Sequence, residues 1–154
     1  MQYVVNLASV TATPLLVVRR RAKLPELSKV VPNACGAVWD FIRRSQITSH
    51  GRNVAVYLNN SIDMEVGVEV DGNAAAGGEV TLSATPAGTV ATTAHLGLYT
   101  RLPEAHEAVR QWCSTHKHQL AGPNWEVYDH WSDNPEKVRT DVYYLLTPDG
   151  TPAG

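Results

Sequence analysis

Apolar and polar positions alternate in well-defined stretches of the chain. Val54, Val56 and Leu58 interleave with Ala55, Tyr57 and Asn59. Ile62, Met64, Val66, Val68 and Val70 then interleave with Asp63, Glu65, Gly67 and Glu69. A period of two marks a half-buried strand, and Asn60-Ser61 between the runs predicts a tight turn. Upstream, residues 2–10 and 14–21 are rich in Val and Leu and read as extended. Residues 33–46 follow Pro32 and gather Ala34, Val38, Phe41 and Ile42 on one helical stripe. Beyond the loop DGNAAAGG (71–78) the same grammar returns. Extended runs at 79–85 and 88–96 lead to a helix capped by Thr100, with Leu102, Ala105, Val109, Trp112 and Cys113 on its stripe. Gly122-Pro123 predicts a break, and strands follow at 124–131 and 138–146.

The recurrence extends to identity. Residues 37–60 laid over 108–131 match at six of 24 positions: Ala37/Ala108, Val38/Val109, Gly51/Gly122, Asn53/Asn124, Val56/Val127 and Tyr57/Tyr128. Ordinary residue frequencies would give about one or two. The pattern predicts an α+β domain of duplicated strand-helix-strand-strand units with pseudo-twofold symmetry. An antiparallel sheet would carry both helices on one face, with a ligand cleft at the symmetry axis. The half-repeats are read as 2–70 and 79–147 within a single domain, 1–147, followed by a frayed tail at 148–154.

Alternation also assigns faces. On the second hairpin, Trp125, Val127, Val142 and Tyr144 are expected to face the helices. Glu126, Tyr128, His130, Asp141, Tyr143 and Leu145 would take the other side. The matching face of the first hairpin would carry Ala55, Tyr57, Asn59, Asp63, Glu65, Gly67 and Glu69. An acid–aromatic surface suits flat, apolar, cationic molecules, which stack on rings and pair with carboxylates. The plainer alternative is the wet face of an antiparallel sheet with ordinary cross-strand polar pairs.

Composition narrows the classes. With 154 residues, 44% hydrophobic, 18% charged and a net charge of −2, the chain is no disordered segment. It also lacks the basic excess of a nucleic-acid binder. Arg19-Arg20-Arg21 and Arg43-Arg44 read as solvated charge, the first at a sheet edge. Cys35 and Cys113 are too few for a disulfide framework and fit a reducing compartment. The N-terminus lacks a basic signal-peptide region, and no stretch approaches the ~20 apolar residues of a membrane span. The expectation is a soluble cytoplasmic protein. Cys113, His116 and His118 share a helix without converging, and no phosphate-cradling glycine motif occurs, so no metal and no cofactor are expected. Neither His95 nor His106 receives a role.

Four segments carry a family resemblance: DMEVGVEV (63–70), HLGLYTRLPEAHEAV (95–109), PNWEVYDHW (123–131) and KVRTDVYYLL (137–146). A W-E-x-Y stretch, a T-D-x-Y beginning fourteen residues after Glu126, and G-x-Y at 97–99 together resemble the GyrI-like small-molecule-binding domain, the effector-binding part of AraC-type regulators. The resemblance runs from about residue 3 to residue 147. It implies an aromatic-lined central cleft for bulky, often cationic ligands, used for sensing or sequestration. It places Glu126 at the family's central buried glutamate, Tyr143 at the tyrosine of the last strand and Tyr99 at the tyrosine opening the second helix. Trp39 and Tyr57 fall at the first-half wall. Many relatives carry a DNA-binding helix-turn-helix ahead of this domain, and this sequence starts almost at its first strand, so a stand-alone member is expected. For such members the resemblance also implies two alternatives. One is a hydrolase of strained, electrophilic compounds, with Glu126 as general base and Tyr99 or Tyr143 assisting. The other is a protein-interaction module such as a gyrase inhibitor.

Overall fold

The computed structural model describes residues 3–58, 63–129 and 133–148. The predicted turn at Asn60-Ser61, His130 and residues 149–154 of the tail lie outside these. Among the described residues, eight strands and two α-helices follow in the order β1 (Asn6–Val10), β2 (Pro14–Arg21), α1 (Leu27–Arg44), β3 (His50–Tyr57), β4 (Asp63–Val70), β5 (Thr81–Ala84), β6 (Gly88–Leu96), α2 (Leu102–Thr115), β7 (Leu120–Tyr128) and β8 (Arg139–Leu146). The chain divides into two compact units, residues 12–85 and residues 1–11 with 86–154.

In the first unit the strands run in the order β3-β4-β2-β5, all antiparallel. Leu15, Leu16, Val17 and Val18 of β2 are all fully buried. A strand covered on both faces needs a continuous apolar run rather than alternation. α1 packs on β2 and β4 through Ala34, Cys35, Val38 and Ile42. It starts six residues before the expected position and takes Pro32 inside it. Proline there forfeits one helical hydrogen bond near the exposed N-terminal end, where tertiary packing carries the helix past it.

In the second unit the order is β1-β6-β8-β7, again antiparallel. Leu102, Ala105, Val109 and Cys113 of α2 form a core with Ala91, Val142, Tyr144 and Leu146. Thr100 does not cap α2. A 3-10 turn, Tyr99–Arg101, precedes the helix, and Arg101 holds the cap position with no side-chain bond to it.

Two features were not anticipated. β1 pairs with β6, and β5 pairs with β2, so the edge strand of each unit is distant in sequence from its neighbour. The expected break at Gly122-Pro123 is instead a register shift within β7, between Leu120 and Asn124. β3 has the matching shift between His50 and Asn53. The bulge inserts residues without ending the strand. Gly122 adopts φ +126°, which favours glycine.

Candidate functional site

Register decides which residues can act together. Across β7 and β8, Asn124 lies opposite Tyr144, Glu126 opposite Val142 and Tyr128 opposite Thr140. Directly opposed residues share a face, and Val142 and Tyr144 belong to the α2 core. Glu126 and Tyr128 therefore face α2. Trp125, Val127, Asp141 and Tyr143 take the other side, where Trp125 and Tyr143 stack at 5.3 Å. This corrects the face assignment drawn from alternation. It put Trp125 and Val127 with Val142 and Tyr144, but even-numbered residues pair with even-numbered ones here. A one-residue change of register flips every side chain.

The first hairpin is corrected in the same way. Tyr57 pairs with Met64 and Ala55 with Val66, whereas Val56 pairs with Glu65 and Val54 with Gly67. Ala55 and Tyr57 thus do not share a face with the acids. Those acids have partners within their own unit. Arg21 lies 3.0 Å from Asp63, Arg52 lies 3.1 Å from Glu69, and the Ser83 hydroxyl donates to Glu65 at 2.6 Å. Of the expected wall residues here, Tyr57 is buried. Trp39 is half-buried, donates from Nε1 to Asn53 Oδ1 at 2.9 Å and meets the His50 ring edge-on.

Glu126 is the chemical centre of the second unit. It is 5% exposed, and a buried carboxylate must be met by donors or charge. The Tyr128 hydroxyl donates to Oε1, and His106 Nε2 lies 2.5 Å from Oε2. His106 Nδ1 in turn lies 2.7 Å from the Tyr144 hydroxyl, to which Arg110 donates at 2.9 Å. Arg110 is also paired with Glu107 at 2.9 Å. α2 makes this possible by its spacing. His106 and Arg110 follow Leu102 at four-residue intervals and so form a row along the edge of the apolar stripe.

Proton directions follow from what each group can give. Burial pushes the Tyr144 phenol above its ordinary range, against an opposing pull from Arg110, with the Glu126 charge adding to the rise. Tyr144 therefore keeps its proton. The set is satisfied when Arg110 donates to Tyr144, Tyr144 to Nδ1 of a neutral His106, and His106 Nε2–H to Glu126.

Tyr99 stands at the rim, 42% exposed, and meets Tyr128 edge-on at 5.8 Å. Its placement has a local cause. Gly97, at φ +128°, turns the chain after β6 and donates to the Val138 carbonyl at 2.8 Å. Fully buried His95 holds the Leu98 carbonyl through Nε2 at 2.9 Å. A carbonyl only accepts, so Nε2 carries the proton there, and in that tautomer Nδ1 accepts a hydrogen bond from the Tyr3 hydroxyl at 2.8 Å.

Of the residues singled out in the sequence, Glu126 and Tyr99 are thus brought together through Tyr128, whereas Tyr143 is not brought to Glu126. Sequence reasoning missed His106, Arg110 and Tyr144. The available signal was His106 and Arg110 at i, i+4, flanking an apolar stripe. Elsewhere, burial pushes the Cys35 and Cys113 thiols up, with an Asn53 hydrogen bond partly opposing this at Cys35. Among the described residues, no three His, Cys, Asp or Glu side chains converge as a metal site would need. His116 and His118 stack on Trp112 at 4.3 and 5.3 Å. Among the described residues no helix is long and apolar enough to cross a membrane.

Comparison with known proteins agrees with this architecture. The EcmrR C-terminal domain superposes with a TM-score of 0.81 at 17% identity, over 96% of this chain and 99% of that one. SAV2435, solved bound to tetraphenylphosphonium, gives 0.67 at 11% identity, over 96% and 95%. A hydrolase from Listeria innocua gives 0.62 at 12% identity, over 93% and 91%. At these identities the likeness is one of fold. No curated protein sequence matches the chain. The profile of the GyrI-like small molecule binding domain matches residues 9–146, and the chain belongs to that family.

Proposed function

We propose that this chain binds bulky, apolar organic cations at the Glu126 site, for sensing or sequestration. The observation that carries the reading is a carboxylate almost excluded from water beside two tyrosine rings. Its charge acts on a cation more strongly there than in bulk solvent. A cation drawn to the tyrosine pair Tyr99 and Tyr128 gains roughly 0.5–2 kcal/mol where it lies over a ring. The Tyr128 hydroxyl, bonded to the carboxylate, carries negative potential toward the rim. Family membership and the tetraphenylphosphonium bound to SAV2435 support the choice of ligand class.

A hydrolase reading asks Glu126 to take a proton from water. Both its oxygens already accept hydrogen bonds, from His106 and Tyr128. That favours a standing charge over a general base. The test is a thermal-shift titration with tetraphenylphosphonium and with neutral triphenylphosphine oxide. A ligand that binds only the folded state raises its apparent stability. The cation is expected to raise the midpoint by several degrees and the neutral compound by less. No shift with the cation up to about 1 mM would sink the proposal.

A further inference from the structure

The segment that carries Tyr99 has little apolar burial to hold it. Leu96, Leu98 and Tyr99 are 49%, 46% and 42% exposed. Ordering a backbone costs about 1–2 kcal/mol per residue in entropy, so hydrogen bonds to fixed groups weigh heavily in setting this turn. Two of them reach fully buried residues. The Gly97 N–H donates to the Val138 carbonyl, and His95 Nε2–H donates to the Leu98 carbonyl. The Leu98 carbonyl also takes the Arg101 N–H at 3.3 Å, which closes the 3-10 turn that opens with Tyr99.

A fully buried imidazole is costly unless both ring nitrogens are satisfied. Nδ1 accepts from the Tyr3 hydroxyl, and the two rings stack at 6.0 Å. Burial pushes the Tyr3 phenol above its ordinary range, with the Glu104 charge adding and Arg101 opposing. Tyr3 thus keeps a proton to give, and giving it to Nδ1 holds His95 in the tautomer that donates to Leu98. Tyr3 precedes β1, and its neighbour Val4 is tied to β6 by the Thr93 hydroxyl at 2.7 Å. Residues 92 apart in sequence therefore meet at the base of the turn.

We propose that His95 and Tyr3 are positioning residues of the binding rim: through the Leu98 carbonyl they hold the turn that presents Tyr99 to Tyr128. They act through Tyr99 and do not touch the ligand themselves. Releasing the Tyr3 hydroxyl from Nδ1 lets His95 take its other tautomer, and the Leu98 carbonyl then loses a donor. The consequence for affinity rests on the reading given under Proposed function, whereas the placement of Tyr99 does not.

The test has one arm without ligand and one with it. Proton NMR of the ligand-free chain reads the contact between the Tyr99 and Tyr128 rings, which meet edge-on at 5.8 Å. That cross-peak should be lost in His95→Leu, weakened in Tyr3→Phe and restored in His95→Gln, which keeps an N–H for the Leu98 carbonyl. Calorimetric titration with tetraphenylphosphonium should show binding weakened about tenfold in His95→Leu and about threefold in Tyr3→Phe, the range of one lost hydrogen bond. In a Tyr99→Ala background neither change should alter affinity by more than about twofold, since residues that act through one partner are not additive. A cross-peak intact in His95→Leu overturns the inference and leaves the Proposed function standing. Tyr3→Phe, which removes one hydroxyl from a half-buried side chain, decides the same point if His95→Leu does not fold. Equal losses of affinity with and without Tyr99 overturn it too. Failure of the folded wild type to bind tetraphenylphosphonium overturns the Proposed function, and the cross-peak still decides whether His95 and Tyr3 place Tyr99.

Discussion

Replacing Glu126 with glutamine is expected to weaken tetraphenylphosphonium binding about 10- to 100-fold, equivalent to about 1.4–2.8 kcal/mol. The substitution keeps shape and volume and removes only the charge. Glutamine still offers an oxygen to Tyr128, and its amide can donate to His106 in the other tautomer. The folded state should therefore survive, with a thermal midpoint within a few degrees of the parent. A buried charge is costly to hold, so the variant is not required to be less stable. Affinity for neutral triphenylphosphine oxide should stay within about threefold, since ring stacking on Tyr99 and Tyr128 does not depend on the carboxylate. Titration calorimetry of both ligands checks this. An equal loss for both would mean that Glu126 supports the local structure instead of supplying the charge.

The second large effect is on stability. Gly67→Ala is expected to cost about 3 kcal/mol or more, and to lower the thermal midpoint by about 10 °C. Gly67 lies in β4, between its partners Val17 in β2 and Val54 in β3. A Cβ built there falls 1.7 Å from the Leu16 carbonyl oxygen and 2.8 Å from Val17 Cα. Both are backbone atoms in the fully buried stretch Leu15–Val18 of β2, so no side chain can swing aside. Gly36 supplies the contrast, with nothing within 4 Å of the added carbon and a position on the exposed side of α1. There alanine should be neutral or stabilising by up to about 1 kcal/mol, from helix propensity. Thermal denaturation of the two variants should move in opposite directions or differ by most of the Gly67 effect. A Gly67→Ala midpoint within about 2 °C of the parent would contradict the packing described for β2 and β4.

Much of the fold could be read from the pattern. The strands at 54–57 and 63–70 betray themselves by period two, and α2 by its apolar stripe. The repeat of Gly51/Gly122 and Asn53/Asn124 turns out to mark the same bulge in β3 and β7. The pattern predicts a break at Gly122-Pro123, because glycine and proline more often end a strand than bend it. The pairings of β1 with β6 and β2 with β5 were hidden because no local pattern encodes a partner some 80 residues away in β1 or nearly 70 away in β5.

The site was legible only in part. Alternation placed Glu126 among several acids and tyrosines, and the family resemblance is what singled it out. Its neighbours were not singled out, because hairpin register fixes which face they share, and alternation leaves that parity open. The same ambiguity grouped Tyr143 with Glu126, although Tyr143 stacks on Trp125 on the opposite side. His106 escaped for another reason. A lone histidine beside an apolar stripe carries no meaning until the strand beneath it is known. Once Glu126 and Tyr144 are placed under α2, His106 is the group that joins them.

Binding as proposed settles a cation beside Glu126 at the rim formed by Tyr99 and Tyr128. A solution NMR titration of the isotope-labelled chain with tetraphenylphosphonium tests this most directly. The largest shifts are expected on Glu126, Tyr128, Tyr99 and the His106 ring, saturating together. Shifts that saturate around Trp125 and Tyr143, or around Arg19 to Arg21, with the Glu126 and His106 signals unmoved, would contradict it.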